Sequence, residues 1–184
     1  LANPTAVQRI NAMINSGYAN GLTVNGCTFI GGKTGIDLRG RASDLMATNN
    51  SVTNCMFYDQ YECAINVTNQ NGVLIDRNEM YDVLSNSSYV LRLLQCNDTV
   101  RVLANKIYTS HGGQAIGVSG MAGTSAVPAL IANNMVVCED DGTANQQNTP
   151  FNIIDGQCID VLFNAVNLVA PARANVAAAT LGGA

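Results

Sequence analysis

Apolar positions along this chain fall into a phrase that recurs six times: two apolar residues flanking one position, a small polar residue three further on, then another apolar residue. The copies are Leu22, Val24, Cys27, Phe29; Val52, Cys55, Phe57; Val73, Ile75, Asn78, Met80; Val100, Val102, Asn105, Ile107; Ala129, Ile131, Asn134, Val136; and Ile159, Val161, Asn164, Val166. With the Cys or Asn as anchor, successive copies lie 28, 23, 27, 29 and 30 residues apart, at 27, 55, 78, 105, 134 and 164. Such a period belongs to stacked-repeat architectures. Within each copy the apolar residues alternate with period two, as in Val100-Arg101-Val102, which predicts strands and argues against a helical repeat.

After a spacer of variable length, a second alternating run follows each of the first five anchors: Ile36-Asp37-Leu38, Ile65-Asn66-Val67, Leu91-Arg92-Leu93, Ile116-Gly117-Val118 and, less cleanly, Phe151-Asn152-Ile153. Two or three strands per turn, joined by Gly, Asn, Asp and Ser bends, describe a parallel β-helix. From Gly21 to Val169 the chain resembles the right-handed parallel β-helix superfamily of pectate lyases, polygalacturonases, polysaccharide epimerases and phage tailspikes. The resemblance carries fold alone, because the phrase encodes packing. The expectation is an all-β, right-handed parallel β-helix solenoid of about six turns.

Strands stacked about 4.8 Å apart superpose equivalent side chains, so the inward residues form aliphatic columns. An Asn at a bend can hydrogen-bond the backbone of the next turn. The anchor column is then Cys27, Cys55, Asn78, Asn105, Asn134 and Asn164, and the chain's 23 Asn residues suit a fold made of bends.

The ends read differently. Asn3 as cap, Pro4 in the first turn, Val7, Ile10 and Ile14 on one face and Gly17 at the stop predict a short helix capping the solenoid's N-terminal end. The expected organisation is a cap helix and lead-in at 1–20, a β-helix at 21–170, and at 171–184 an Ala- and Gly-rich tail or the start of a further segment.

Composition narrows the function. Charged residues make up 12% of the chain, the net charge is -4 and no basic cluster occurs, so there is no electrostatic footprint for nucleic acid. No run of about 18 apolar residues spans a membrane. Six cysteines without a C-x-x-C or Cys/His cluster predict no zinc site. Cys27 and Cys55 read as small buried hydrophobes, stacked neighbours being also close enough to bridge, whereas Cys63, Cys96, Cys138 and Cys158 fall near bends.

Candidate chemistry lies on the outward positions of the second run: Asp37, Asn66, Arg92, Gly117 and Asn152. In the enzymes of the resembled superfamily, substrate lies along such an outer groove. An acid, an amide and a guanidinium at one-turn spacing suit a sugar-binding strip, because a guanidinium grips a carboxylate through two hydrogen bonds. Asp37, Asn66, Arg92 and Asn152 are the candidate substrate-binding residues. A solvated polar face is the plain alternative.

The stretch Asp59-Gln60-Tyr61-Glu62-Cys63-Ala64-Ile65-Asn66 is similar to a polygalacturonase segment in which two adjacent Asp precede Cys, and Ser110-His111-Gly112-Gly113 to that family's Gly-His-Gly. Tyr61-Glu62 stands where the family has its Asp pair, and the Asn-Thr-Asp and Arg-Ile-Lys segments are not found. The resemblance implies Glu62, His111 and Arg92 as catalytic candidates. A lyase would use Arg or Lys as base, with Arg92, Arg77 and Lys106 on successive turns. No cofactor is expected beyond a weak calcium candidate at Glu139-Asp140-Asp141-Gly142, for which a solvated acidic loop is the alternative.

The functional expectation is an extracellular, carbohydrate-active β-helix acting on or binding an acidic polysaccharide, lyase- or hydrolase-like. The alternatives are a non-catalytic surface or tailspike-like glycan-binding module, trimeric if borne on a virion, and a purely structural module.

Overall fold

The computed structural model describes residues 12–41, 45–81, 89–109, 114–139 and 149–169, and the backbone of 179–182. The described chain is a parallel β-solenoid without helix, in which three sheets run along the coil. The first sheet has eight strands. In spatial order seven of them are Ala12–Gly17, Thr34–Arg39, Cys63–Asn71, Tyr89–Asn97, Gln114–Ser119, Thr149–Ile154 and Ala179–Gly182, and Ala47–Thr48 pairs with the far end of Cys63–Asn71. The second and third sheets have six strands each, one from every copy of the repeated phrase. In the fourth copy, for example, Arg101–Leu103 belongs to the second sheet and Lys106–Thr109 to the third.

Alternation places the core. Ile36, Ile65, Leu91, Ile116 and Phe151 form one inward column of the first sheet, and Leu38, Val67, Leu93, Val118 and Ile153 another. Val24, Val52, Ile75, Val102 and Ile131 line the second sheet, and Phe29, Phe57, Met80, Ile107 and Val136 the third. All are buried. Phe29 and Phe57 stack with centroids 4.9 Å apart and planes 10° apart, the geometry that one-turn superposition imposes on identical residues.

The turn from second to third sheet is made the same way in every copy. The residue before each anchor adopts positive φ: Gly26 (67°), Asn54 (52°), Arg77 (53°), Ala104 (51°), Asn133 (57°) and Phe163 (54°). That conformation is unfavourable for a side-chain-bearing residue other than Asn, by about 1 kcal/mol or more. The anchors offset this strain by hydrogen bonding. Asn105 Oδ1 accepts from the Asn78 backbone N–H and from Asn78 Nδ2, both at 3.0 Å, while Asn105 Nδ2 donates to Ile75 O at 3.0 Å. The same three bonds recur from Asn134 to the turn of Asn105 and from Asn164 to the turn of Asn134. The carboxamides therefore reach the preceding turn, not the next, where the N–H after each positive-φ residue needs an acceptor.

Two expectations are corrected. Ala12–Gly17 is a strand, not the end of a capping helix: it pairs with Thr34–Arg39 in register, Ile14 on Ile36 and Ser16 on Leu38. The Thr34–Arg39 edge needs a backbone partner, and Met13-Ile14-Asn15-Ser16 can alternate as well as coil, so pairing overrides the helical spacing. Residues 3–11 of the proposed helix lie outside the described residues. Among the cysteines, Cys63, Cys96 and Cys138 are strand residues and buried, whereas Cys27 is exposed; all six are free. At the other end, Ala179–Gly182 adds a strand to the first sheet beside Thr149–Ile154.

Asn105→Ala should destabilise the protein by about 2 to 4 kcal/mol, since it strands a buried backbone N–H, a carboxamide and a carbonyl together. Asn167→Ala, at an exposed strand position, should change stability by no more than about 0.5 kcal/mol. Urea unfolding of the two variants checks this, and equal effects would refute the ladder's role.

Candidate functional site

The outward positions between the two inward columns of the first sheet form a single file: Asn15, Asp37, Asn66, Arg92, Gly117, Asn152. The first four of these line a groove of about 320 Å³, walled also by Lys33 and Glu62 from the loops that enter the strands and by Tyr89. Four of the candidate residues, Asp37, Glu62, Asn66 and Arg92, are thus brought together. Asn152 continues the file beyond the groove. His111 lies outside the described residues.

Asp37 forms the floor. Its carboxylate is almost fully enclosed, with Oδ1 accepting from Asn66 Nδ2 at 2.8 Å and Oδ2 accepting from Arg39 Nε at 2.8 Å and Nη2 at 2.6 Å. Two donors from one guanidinium make this a charge-assisted pair. The hydrogen bond to Asp37, and then its charge, raise the Arg39 pKa further above its ordinary value. Asn66 keeps a buried Oδ1 without a donor among the described residues, an atom whose burial is uncompensated until something supplies a proton.

Glu62 pairs with Lys33 at 2.8 Å across the groove mouth, both half exposed. Behind it Cys63 is fully buried, its thiol hydrogen-bonded to Ile65 O at 3.0 Å and Val90 O at 3.3 Å. Burial above all, and next the Glu62 charge, push this thiol far up, so it stays protonated and inert. Arg92 is exposed, and among the described residues no carboxylate pairs with it. The groove holds three cations, Lys33, Arg39 and Arg92, against two carboxylates, on a chain whose net charge is -4.

Tyr89 is the residue that sequence reasoning missed. Its ring lies against Gly117 in the next turn, where a Cβ would fall inside the ring. Its hydroxyl accepts from Asn152 Nδ2 at 3.2 Å, and that nitrogen also donates to Gln114 Oε1 at 2.6 Å. A glycine amid an outward file of larger side chains was the available signal: an outward position left empty invites a neighbour to fill it. Arg77 and Lys106, by contrast, do not join Arg92. Arg77 is at a bend beside Asp76 and Asn54, and Lys106 is in the third sheet, paired with Glu79 at 2.8 Å. Glu139 accepts from the Tyr108 hydroxyl at 2.9 Å, residues 140–142 lie outside the described residues, and among the described residues no three His, Cys, Asp or Glu side chains gather as a metal site would require.

Chemically, both groove carboxylates are committed to cations. What the groove offers is a guanidinium without a carboxylate partner among the described residues, flanked by an amide and an aromatic ring.

Gly117→Ala should destabilise the protein by about 1 to 3 kcal/mol by overpacking Tyr89. Adding Tyr89→Ala should recover most of that loss, because the clash then has no partner. A urea-unfolding double-mutant cycle checks it, and strictly additive effects would exclude the ring-on-glycine contact.

No protein-family model matches the chain, and no curated protein is significantly similar to it.

Proposed function

We propose that this protein is an extracellular, pectate-lyase-like β-helix that binds an acidic polysaccharide along the outer face of its first sheet, as a glycan-binding module without cleavage. The observation that carries the reading is Arg92, an exposed guanidinium facing the groove with no carboxylate partner among the described residues. A uronate carboxylate supplies the partner, accepting two hydrogen bonds from the guanidinium fork. The excess of cations in the groove favours an anionic sugar over a neutral one. Tyr89 adds an aromatic wall, and Asn15 and Asn66 add amide groups for hydroxyls.

The non-catalytic form is preferred because of the ion pairs. Inverting hydrolysis needs one protonated carboxyl and one carboxylate about 6.5 to 9.5 Å apart around a water. Glu62 is held by Lys33 and Asp37 by Arg39 and Asn66, so the oxygens that would have to work on a glycosidic bond already have partners within the protein. Elimination would need an arginine or lysine base beside the sugar-binding groups, and Arg77 and Lys106 lie away from the groove, each paired with a carboxylate.

Titration calorimetry with oligogalacturonate and with a neutral glucan of equal length should detect binding of the acidic chain alone, weakening with salt. Arg92→Ala should weaken it roughly 10- to 100-fold, the worth of a charged hydrogen-bonded pair. Arg77→Ala, on another face, should leave it unchanged. Equal affinity for the neutral glucan, or indifference to Arg92→Ala, would overturn the assignment. Appearance of unsaturated products or new reducing ends, lost in Glu62→Gln, would make the protein an enzyme instead.

A further inference from the structure

The anchor ladder is complete from Asn78 onward and interrupted at its start. Between Cys55 and Cys27 no carboxamide crosses. The Cys55 thiol takes the place of the amide with a weak 3.7 Å contact to Val24 O, where Asn78 Nδ2 makes 2.9 Å to Val52 O. We propose that Cys27 and Cys55 are a disulfide site, whose oxidation ties together the two turns at the anchor position, where the amide link is missing.

Register supports the pairing. Asn25 pairs with Thr53 and Thr28 with Met56, so the offset is the same on both sides and Cys55 sits directly under Cys27. Backbone bonds fix the two bends against each other, Gly26 N–H to Thr53 O at 3.1 Å and Met56 N–H to Cys27 O at 2.9 Å. The two thiols also share one local conformation: Cys27 Sγ reaches Asn25 O at 3.5 Å and Cys55 Sγ reaches Thr53 O at 3.2 Å, each two residues back. Equivalent residues on adjacent parallel strands are about 4.8 Å apart, within the Cα span of roughly 4.4 to 6.8 Å that a disulfide needs.

The other four cysteines have no such neighbour. Cys63 is paired with Thr34, Cys96 with Gln70, Cys138 with Thr109 and Leu168, and Cys158 is at an exposed bend.

Exposure assigns the order of events. Cys27 is open to solvent and Cys55 is buried, with burial the main cause of a raised Cys55 pKa and the Cys27 charge a smaller one. With glutathione disulfide as oxidant, the Cys27 thiolate attacks one sulfur and expels a glutathione thiolate, which takes up a proton. The Cys55 thiolate then attacks the Cys27 sulfur of the mixed disulfide and expels the second glutathione. Two protein thiols are oxidised while one glutathione disulfide is reduced to two glutathione molecules.

The test uses the full chain incubated with glutathione disulfide at pH 8, followed by thiol counting under denaturing conditions and non-reducing peptide mapping. The six thiols should fall by two, with one cross-linked species joining the Cys27 and Cys55 peptides. Tm should rise by about 5 to 10 °C, the effect of closing a loop of this length in a domain of this size, and dithiothreitol should reverse it. Cys27→Ser should keep all its remaining thiols under the same treatment. Six thiols left free, glutathione retained at Cys27, or a Cys27 link between two copies would each overturn the proposal.

Discussion

A turn of this solenoid can bury its inward side chains only against the turns beside it, so everything depends on superposition from turn to turn. Backbone pairing holds the sheets in register, but the bends must also coincide, and there the chain adopts left-handed backbone that Arg77, Ala104 and Phe163 would not choose alone. The carboxamide ladder resolves this conflict. Asn105, Asn134 and Asn164 each close the bend of the turn before by bonding its anchor's N–H and amide and one of its carbonyls, so local strain is held by a contact that exists only when the turns are stacked. The bend and the stack therefore stabilise one another.

The same constraint sets where function can reside. Inward positions are committed to aliphatic columns and bend positions to the ladder, which leaves outward positions free to vary in chemistry. In the third sheet these positions carry the stacked pair Tyr58 and Tyr81, with centroids 5.4 Å apart, and the Glu79–Lys106 pair, in which Lys106 first and Tyr81 second hold the Glu79 carboxyl below its ordinary pKa. Those groups satisfy each other. In the first sheet the outward file is only partly self-satisfied, since Asp37 has its partners and Arg92 has none among the described residues. An unbalanced charge on a regular scaffold is what the proposed binding of an anionic ligand rests on.

Tyr89 illustrates how a site arises between turns. Neither its position in sequence nor its neighbours mark it out. It matters because Gly117, in the following turn, leaves room for the ring, and because Asn152, a turn further, donates a hydrogen bond to its hydroxyl. Three turns cooperate in placing one side chain, which is the advantage of a solenoid over a loop as a platform for binding: the supporting residues are repeated elements of the core.

The repeated phrase and its period-two alternation were enough to read the strands, the inward columns and the outward file of Asp37, Asn66, Arg92 and Asn152, because side-chain direction in a strand is a matter of parity and stacking adds only a constant offset. The anchors, too, were legible as a column. Tertiary structure alone decided what parity cannot express. It turned Ala12–Gly17 from the expected helix into a strand, since an unpaired sheet edge outweighs weak helical spacing. It sent the ladder's amides backward to the preceding turn, split Arg77 and Lys106 away from Arg92, and joined Glu62 to Lys33. Sequence determines which face each residue takes; only the assembled turns determine which residues meet across it, because those meetings join segments 22 to 35 positions apart, from Asn15 on Asp37 to Gly117 on Asn152, whose spacers vary in length.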